Sequence, residues 1–270
     1  MRIDLRTSLA DALGVVTGNL VSLVGAGGKT SLMYALGREM ASAGHPALLT
    51  TTTRLRYPAV GEIADLVLGE ETAATKAAIE SRLAGSRLVL AGRMKVDSKI
   101  AGFSPAFLES LRSRDAAWTI VAECDGAMGK SLKVPRDHEP PLAASTDILV
   151  VMVGADCLGK SLRSEEVFEG DLVAAVAGVE VGAVVGSKII ARAVLSPGSY
   201  LGRKPPAARF CVFMNKVDVD NLDRPGPDAD RSQVASAFEV GMALKTDSAV
   251  DRVIYGALER PPAKGFLVLS

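Results

Sequence analysis

An α/β fold, with a mostly parallel central sheet covered by helices in three layers, is predicted by three features of the sequence. Short apolar runs alternate with longer amphipathic ones. Most of these runs lack polar alternation, as strands buried on both faces require, and glycines punctuate the passage from the first run to the first helix. The candidate strands are Leu20 to Val24, Ala47 to Thr51, Arg87 to Leu90, Thr119 to Glu123, Ile148 to Val153 and Phe210 to Met214. After the first of them, Leu32, Ala35, Leu36 and Met40 recur at helical spacing from Lys29 onward, and Gly44 is placed to end that helix. Further helices are expected near Glu70 to Ala84, Pro105 to Arg114 and Glu165 to Ala177. Ser196 to Pro206 and Asn221 to Pro227, rich in proline and glycine, read as surface connections. One domain spanning 1–270 is expected, with 220–270 as a C-terminal extension.

Composition narrows the function classes. Lys+Arg and Asp+Glu both number 31, so the chain has no bulk basic field to collect nucleic acid or anionic lipid. Cys124, Cys157 and Cys211 lie far apart in or beside apolar runs, a pattern of reduced thiols that suits the cytoplasm. The stretches Ile148 to Ala155 and Leu172 to Val194 are either too short or broken by Glu180, Lys188 and Arg192, so no membrane span is expected.

The segment Gly25-Ala26-Gly27-Gly28-Lys29-Thr30-Ser31 leaves a buried strand and enters a helix. That is the setting of a phosphate loop: without side chains the backbone wraps phosphate oxygens, and the helix dipole adds positive potential. Lys29 supplies a point charge for the β and γ phosphates, and the Thr30 hydroxyl is a hard oxygen ligand for Mg²⁺. The loop is contracted, since Leu23 occupies the position of the first glycine in the standard G-x-x-x-x-G-K-[ST] pattern. A three-layer P-loop NTPase-like fold follows.

Two further motifs extend this reading. The strand Thr119 to Glu123 ends in Glu123-Cys124-Asp125-Gly126, where carboxylates two residues apart share one face if the chain stays extended. Asp125 is expected to position Mg²⁺ and Glu123 to orient water. Asn215-Lys216-Val217-Asp218 has the N-K-x-D form by which GTPases read guanine, with Asp218 accepting from the two guanine N–H donors. The D-x-x-G switch of GTPases is absent, which keeps ATP open beside GTP.

Other clusters carry weaker signals. Thr50 to Thr53 place four hydroxyls at the C-terminal edge of the second strand, where ligands bind in open α/β sheets and where β-branched residues are also favoured for themselves. The charged run Lys130 to Glu139, with His138, reads as a mobile loop that closes over phosphate, contacts a partner or is merely solvated. His45, before Pro46, reads as structural, and Arg93, Lys95 and Lys99 as a solvated face.

At these residues the chain resembles the YqeC family, accessory proteins of selenium-dependent molybdenum hydroxylases. The likeness is carried by the contracted G-A-G-G-K-T loop, the Thr-rich end of strand two, and E-x-D-G at Glu123 to Gly126. K-x-P-x-x-H-E-P from Lys133 to Pro140 and N-K-x-D at Asn215 to Asp218 complete it. Cys124 departs from the small residue usual between the two acids, and the tail beyond Asp218 matches loosely. The resemblance implies a P-loop NTPase fold and a role in maturing a molybdenum-containing hydroxylase. The partners expected are a nucleoside triphosphate with Mg²⁺, a molybdenum hydroxylase or its cofactor-insertion machinery, and, as an open case, a second copy of the chain. A slow GTPase or nucleotide switch is the leading expectation; an ATP-dependent small-molecule kinase or ligase and a non-catalytic carrier are the alternatives.

Overall fold

In a computed structural model of the chain, the described residues are 2–58, 63, 65–112, 118–221, 228–259 and 265–270, with the backbone alone for 221 and 228–231. In chain order the strands are β1 (Ile3–Arg6), β2 (Leu20–Gly25), β3 (Ala47–Thr51), β4 (Arg54–Arg56), β5 (Asp65–Leu68), β6 (Leu88–Gly92) and β7 (Met94–Val96). They continue with β8 (Lys99–Ala101), β9 (Thr119–Glu123), β10 (Ile148–Gly154), β11 (Arg209–Asn215), β12 (Arg252–Gly256) and β13 (Phe266–Leu269). The helices are α1 (Leu9–Leu13), α2 (Lys29–Ser42), α3 (Ala73–Gly85), α4 (Pro105–Leu111), α5 (Gly170–Ala177), α6 (Ser187–Leu195) and α7 (Asp228–Leu244).

Among the described residues, ten strands form one sheet in the order β1-β13-β12-β11-β10-β2-β9-β3-β6-β5. Every pairing is parallel except those that β13 makes with β12 and β1. Strand β10 shows why the interior runs carry no polar alternation. Its Leu149, Val151 and Val153 pack into a cluster with residues of α3, α4, α5, α6 and α7, while Ile148, Val150 and Met152 pack on the opposite face with α1 and α2. Both faces of the sheet are therefore covered, giving three layers.

The six strands expected from apolar runs form a contiguous block, β11-β10-β2-β9-β3-β6, with ends shifted by a residue or two. The helix from Lys29 runs to Ser42, with Gly44 at a left-handed φ of 90° just beyond its cap. The region expected near Glu165 to Ala177 is helical only from Gly170. Ser113 and Arg114, at the end of the helix expected from Pro105, lie outside the described residues, as do residues 222–227 of the second proline-rich connection. The tail contributes β12 and β13 to the same sheet, and α7 packs on α6. Arg93 to Lys99 form part of a small antiparallel sheet, β4-β8-β7, whose basic side chains are exposed. The three cysteines are free and buried, and burial pushes each thiol up to about 12, which leaves them unreactive. Among the described residues no helix is long and apolar enough to cross a membrane.

Candidate functional site

Strand β2 lies between β10 and β9, both parallel to it, so the glycine loop leaves the middle of the sheet and enters α2 directly. Gly25, Gly27 and Gly28 have φ of 86°, 94° and 122°, a region that side chains rarely occupy. Space is equally restrictive. A Cβ at Gly25 would stand 2.4 Å from the Met152 carbonyl oxygen, one at Gly27 2.3 Å from the Gly154 nitrogen, and one at Gly28 2.4 Å from Asn215 Nδ2. The loop is thus seated on the end of β10 and on the Asn215 side chain.

Lys29 opens α2 with its side chain buried. Its Nζ lies 3.0 Å from Asp125 Oδ1 and donates to the Gly25 carbonyl, so the ammonium turns back across its own loop. Asp125 is fully buried: its Oδ2 accepts from the Gly25 amide at 3.0 Å and from the Tyr200 hydroxyl at 3.1 Å, with Lys133 Nζ 3.6 Å away. Burial, and then the Asp125 charge, hold the Tyr200 phenol well above its ordinary pKa.

The two carboxylates of the acidic tip take different partners. Strand β9 ends at Glu123, so the extended geometry that would put both on one face stops before Asp125. Glu123 has the parity of Val121, which faces the α2 side of the sheet, and its Oε2 accepts from the Thr30 hydroxyl at 2.8 Å. Asp125, past the strand end, is absorbed by the loop and two lysines. Glu123, not Asp125, is the carboxylate at Thr30. Burial raises its pKa above the ordinary 4.5, opposed by the Lys29 charge and the Thr30 hydrogen bond.

The N-K-x-D residues disperse. Asn215 Nδ2 donates to the Gly27 carbonyl at 2.7 Å while its Oδ1 accepts from the Leu258 amide at 3.0 Å, tying the glycine loop to the segment after β12. Lys216 reaches Asp156 Oδ2 at 2.6 Å and Ser131 Oγ at 3.0 Å. Asp218 is exposed and accepts from the Asp220 amide at 3.2 Å.

The run expected to be a mobile loop is instead packed. Lys133 is buried, with Nζ 2.6 Å from Glu139 Oε2, 2.8 Å from the Gly126 carbonyl and 5.2 Å from the centre of the Phe168 ring. Arg136 pairs with Glu169, and Arg203 donates to the carbonyls of Arg136 and Glu139. Only Asp137 and His138 in this run are exposed. The threonines also turn inward: Thr50 donates to the Ala91 carbonyl at 2.9 Å and Thr51 to the Glu123 carbonyl at 2.7 Å.

A cleft of about 280 Å³ opens beside the glycine loop, lined by Gly27 to Ser31, Glu123, Ala127 to Lys130, Asn215, Lys216 and Glu259. Thr50 to Thr53, Asp125 and Asp218 are not part of its wall. Two of the non-glycine residues with left-handed backbone, Met128 (φ 48°) and Lys216 (φ 64°), stand in it beside Gly27, Gly28 and Gly129. Such concentration of unusual backbone marks a site that the surrounding fold holds in shape. No group of three or more His, Cys, Asp or Glu able to hold a metal exists among the described residues. A hard cation at Thr30 and Glu123 would draw the rest of its shell from phosphate oxygens and water.

Sequence reasoning missed Tyr200 and the placement of Lys133, because both meet Asp125 only through tertiary packing. Comparison with known proteins adds two findings. The uncharacterized protein YqeC of Escherichia coli (strain K12) is 26% identical over 197 residues, covering 73% of this chain and 75% of that protein. The family model described as YqeC protein matches residues 21–171, from β2 and its glycine loop through the Lys133 run into α5. A match over more than half of the chain, taking in the glycine loop, Glu123 and Asp125, places it in the YqeC family.

Proposed function

We propose that the chain binds a nucleoside triphosphate with Mg²⁺ in this cleft and turns it over slowly, as a cytoplasmic nucleotide switch in the maturation of a molybdenum- or selenium-dependent hydroxylase. The reading rests on one juxtaposition. A glycine loop at the start of a 14-residue helix, a lysine and a hydroxyl bonded to a carboxylate meet at the rim of one cleft. The backbone amides of the loop and the positive end of α2 suit phosphate oxygens. Lys29, held by Asp125 and the Gly25 carbonyl, is a cation that exchanges those partners for phosphate. Thr30 and Glu123 present the hard oxygens that Mg²⁺ takes, and the ion when bound neutralises phosphate charge. Asn215 fixes the loop from the far side.

The donor set predicts a pH dependence. Because Glu123 has a raised pKa, it binds a proton over a range where an exposed glutamate has lost one. A cation requires the carboxylate form, so Mg²⁺-dependent affinity is expected to rise as pH climbs from 4.5 through the raised value. Folding stability changes in the opposite sense over the same window, since the folded state holds the extra proton. Glu123→Gln is expected to remove that pH dependence and to weaken binding about tenfold in Mg²⁺ while leaving metal-free binding unchanged. Calorimetric titrations at several pH values check it.

GTP is favoured by the N-K-x-D sequence, with ATP the alternative, and guanine reading rests on Asp218. The test is equilibrium titration of the full chain with GTP and ATP, with and without Mg²⁺. Mg²⁺-dependent binding of either supports the nucleotide reading, and binding of neither overturns it. Equal affinity for both, or an unchanged preference in Asp218→Ala, removes guanine reading alone. Stimulation of turnover by a partner hydroxylase would support the maturation role.

A further inference from the structure

The cleft has a second glycine-bearing wall. Gly126-Ala127-Met128-Gly129-Lys130 follows β9 as Gly25-Ala26-Gly27-Gly28-Lys29 follows β2, and both spell G-A-x-G-K. The strands are adjacent and parallel, with Leu23 opposite Glu123, so the two segments leave the same sheet edge within about one residue of each other. Their surroundings differ. Each glycine of the first loop is hemmed in by protein, whereas an added Cβ at Gly126 or Gly129 would meet nothing within 4 Å. Met128 between them is 81% exposed and held at a left-handed φ of 48°. The second wall is open and shaped, but unfilled by neighbours.

Its lysine stands apart from the others. Lys29 is paired with Asp125, and Lys216 with Asp156. The half-buried Lys130 lines the same cleft with no hydrogen bond or ion pair to its side chain among the described residues. Two carboxylates line the cleft with it: Glu123, which is held by Thr30, and the exposed Glu259. Immediately after Lys130, the packed Ser131 and Leu132 both donate backbone N–H to the Glu166 carbonyl, so the wall is anchored at its base.

Resting on the nucleotide reading, we infer that Ala127 to Lys130 form the distal wall of the phosphate site and that Lys130 binds the terminal phosphate. The first loop holds the part of the phosphate chain that diphosphates and triphosphates share. Lys130 supplies the cation that only a triphosphate reaches, and so sets the preference for triphosphate. This makes it a specificity residue rather than part of the common cradle.

The experiment measures affinity of the full chain for GTP, GDP, ATP and ADP in Mg²⁺, in wild type, Lys130→Met and Lys130→Arg. Lys130→Met is expected to weaken triphosphate binding about tenfold and diphosphate binding less than about twofold, with Lys130→Arg keeping most of the preference. The melting temperature should not move, since no protein contact is lost. Equal loss for both phosphate lengths, or no change in their ratio, overturns the inference while leaving the nucleotide reading intact. A wild type that binds none of the four overturns both.

Discussion

Lys133→Met is expected to lower the melting temperature by on the order of 10 °C. The methionine fits the stem of the lysine but removes an ammonium bonded to Glu139 at 2.6 Å and to the Gly126 carbonyl at 2.8 Å, and 3.6 Å from Asp125. Glu139, whose side chain is 11% exposed, would lose its lysine partner, and the fully buried Asp125 would lose one of its two ammonium neighbours. Breaking one side of a buried pair costs about 3–5 kcal/mol, because the remaining charge is left uncompensated. Adding Glu139→Gln should recover part of the loss, and thermal unfolding of the two single variants and the double variant measures the coupling. Simple additivity of the two substitutions would refute the clamp.

Lys29→Ala is expected to have the largest effect on the proposed activity, weakening triphosphate binding by about 100-fold. Lys29→Arg should not rescue it: the planar guanidinium fork cannot occupy the compact position between the Gly25 carbonyl and Asp125. Calorimetric titration with triphosphate and Mg²⁺ reads the loss, and circular dichroism confirms the fold, since Asp125 keeps the Gly25 amide and the Tyr200 hydroxyl as partners. Undiminished binding in Lys29→Ala would remove the glycine loop from the site.

The legible part of this molecule was the part specified by short-range pattern. Strand β10 reads as a strand because seven successive residues are buried, with alternate side chains feeding opposite layers. The glycine loop reads because its backbone needs are written as residue type. Strands β1, β5, β12 and β13 of the main sheet were not foreseen; β1, β5 and β13 have four residues each, and β1 is placed by pairing with β13 at the other end of the chain. The strand end at Glu123 was legible to the residue, but the partners of Asp125 were not: the chain leaves the extended path after Glu123, and Gly25, Tyr200 and Lys133 reach Asp125 only through tertiary packing. The Lys133 run looked solvated because charge was visible and its partners were not. Lys133 meets Asp125 by a chain reversal, and Tyr200 reaches it from 75 residues away.

The clamp around Asp125 has a consequence for how a ligand arrives. Two ammonium groups and two carboxylates, those of Lys29, Lys133, Asp125 and Glu139, sit together, and their formal charges cancel. Seen from several ångströms away, this cluster behind the glycine loop is close to neutral, and it adds no long-range field to draw a polyanion from solution. Selectivity then begins at contact, through the geometry of amides and the exchange of one counter-anion for another. Association would depend only weakly on ionic strength, unlike capture by a bare basic surface.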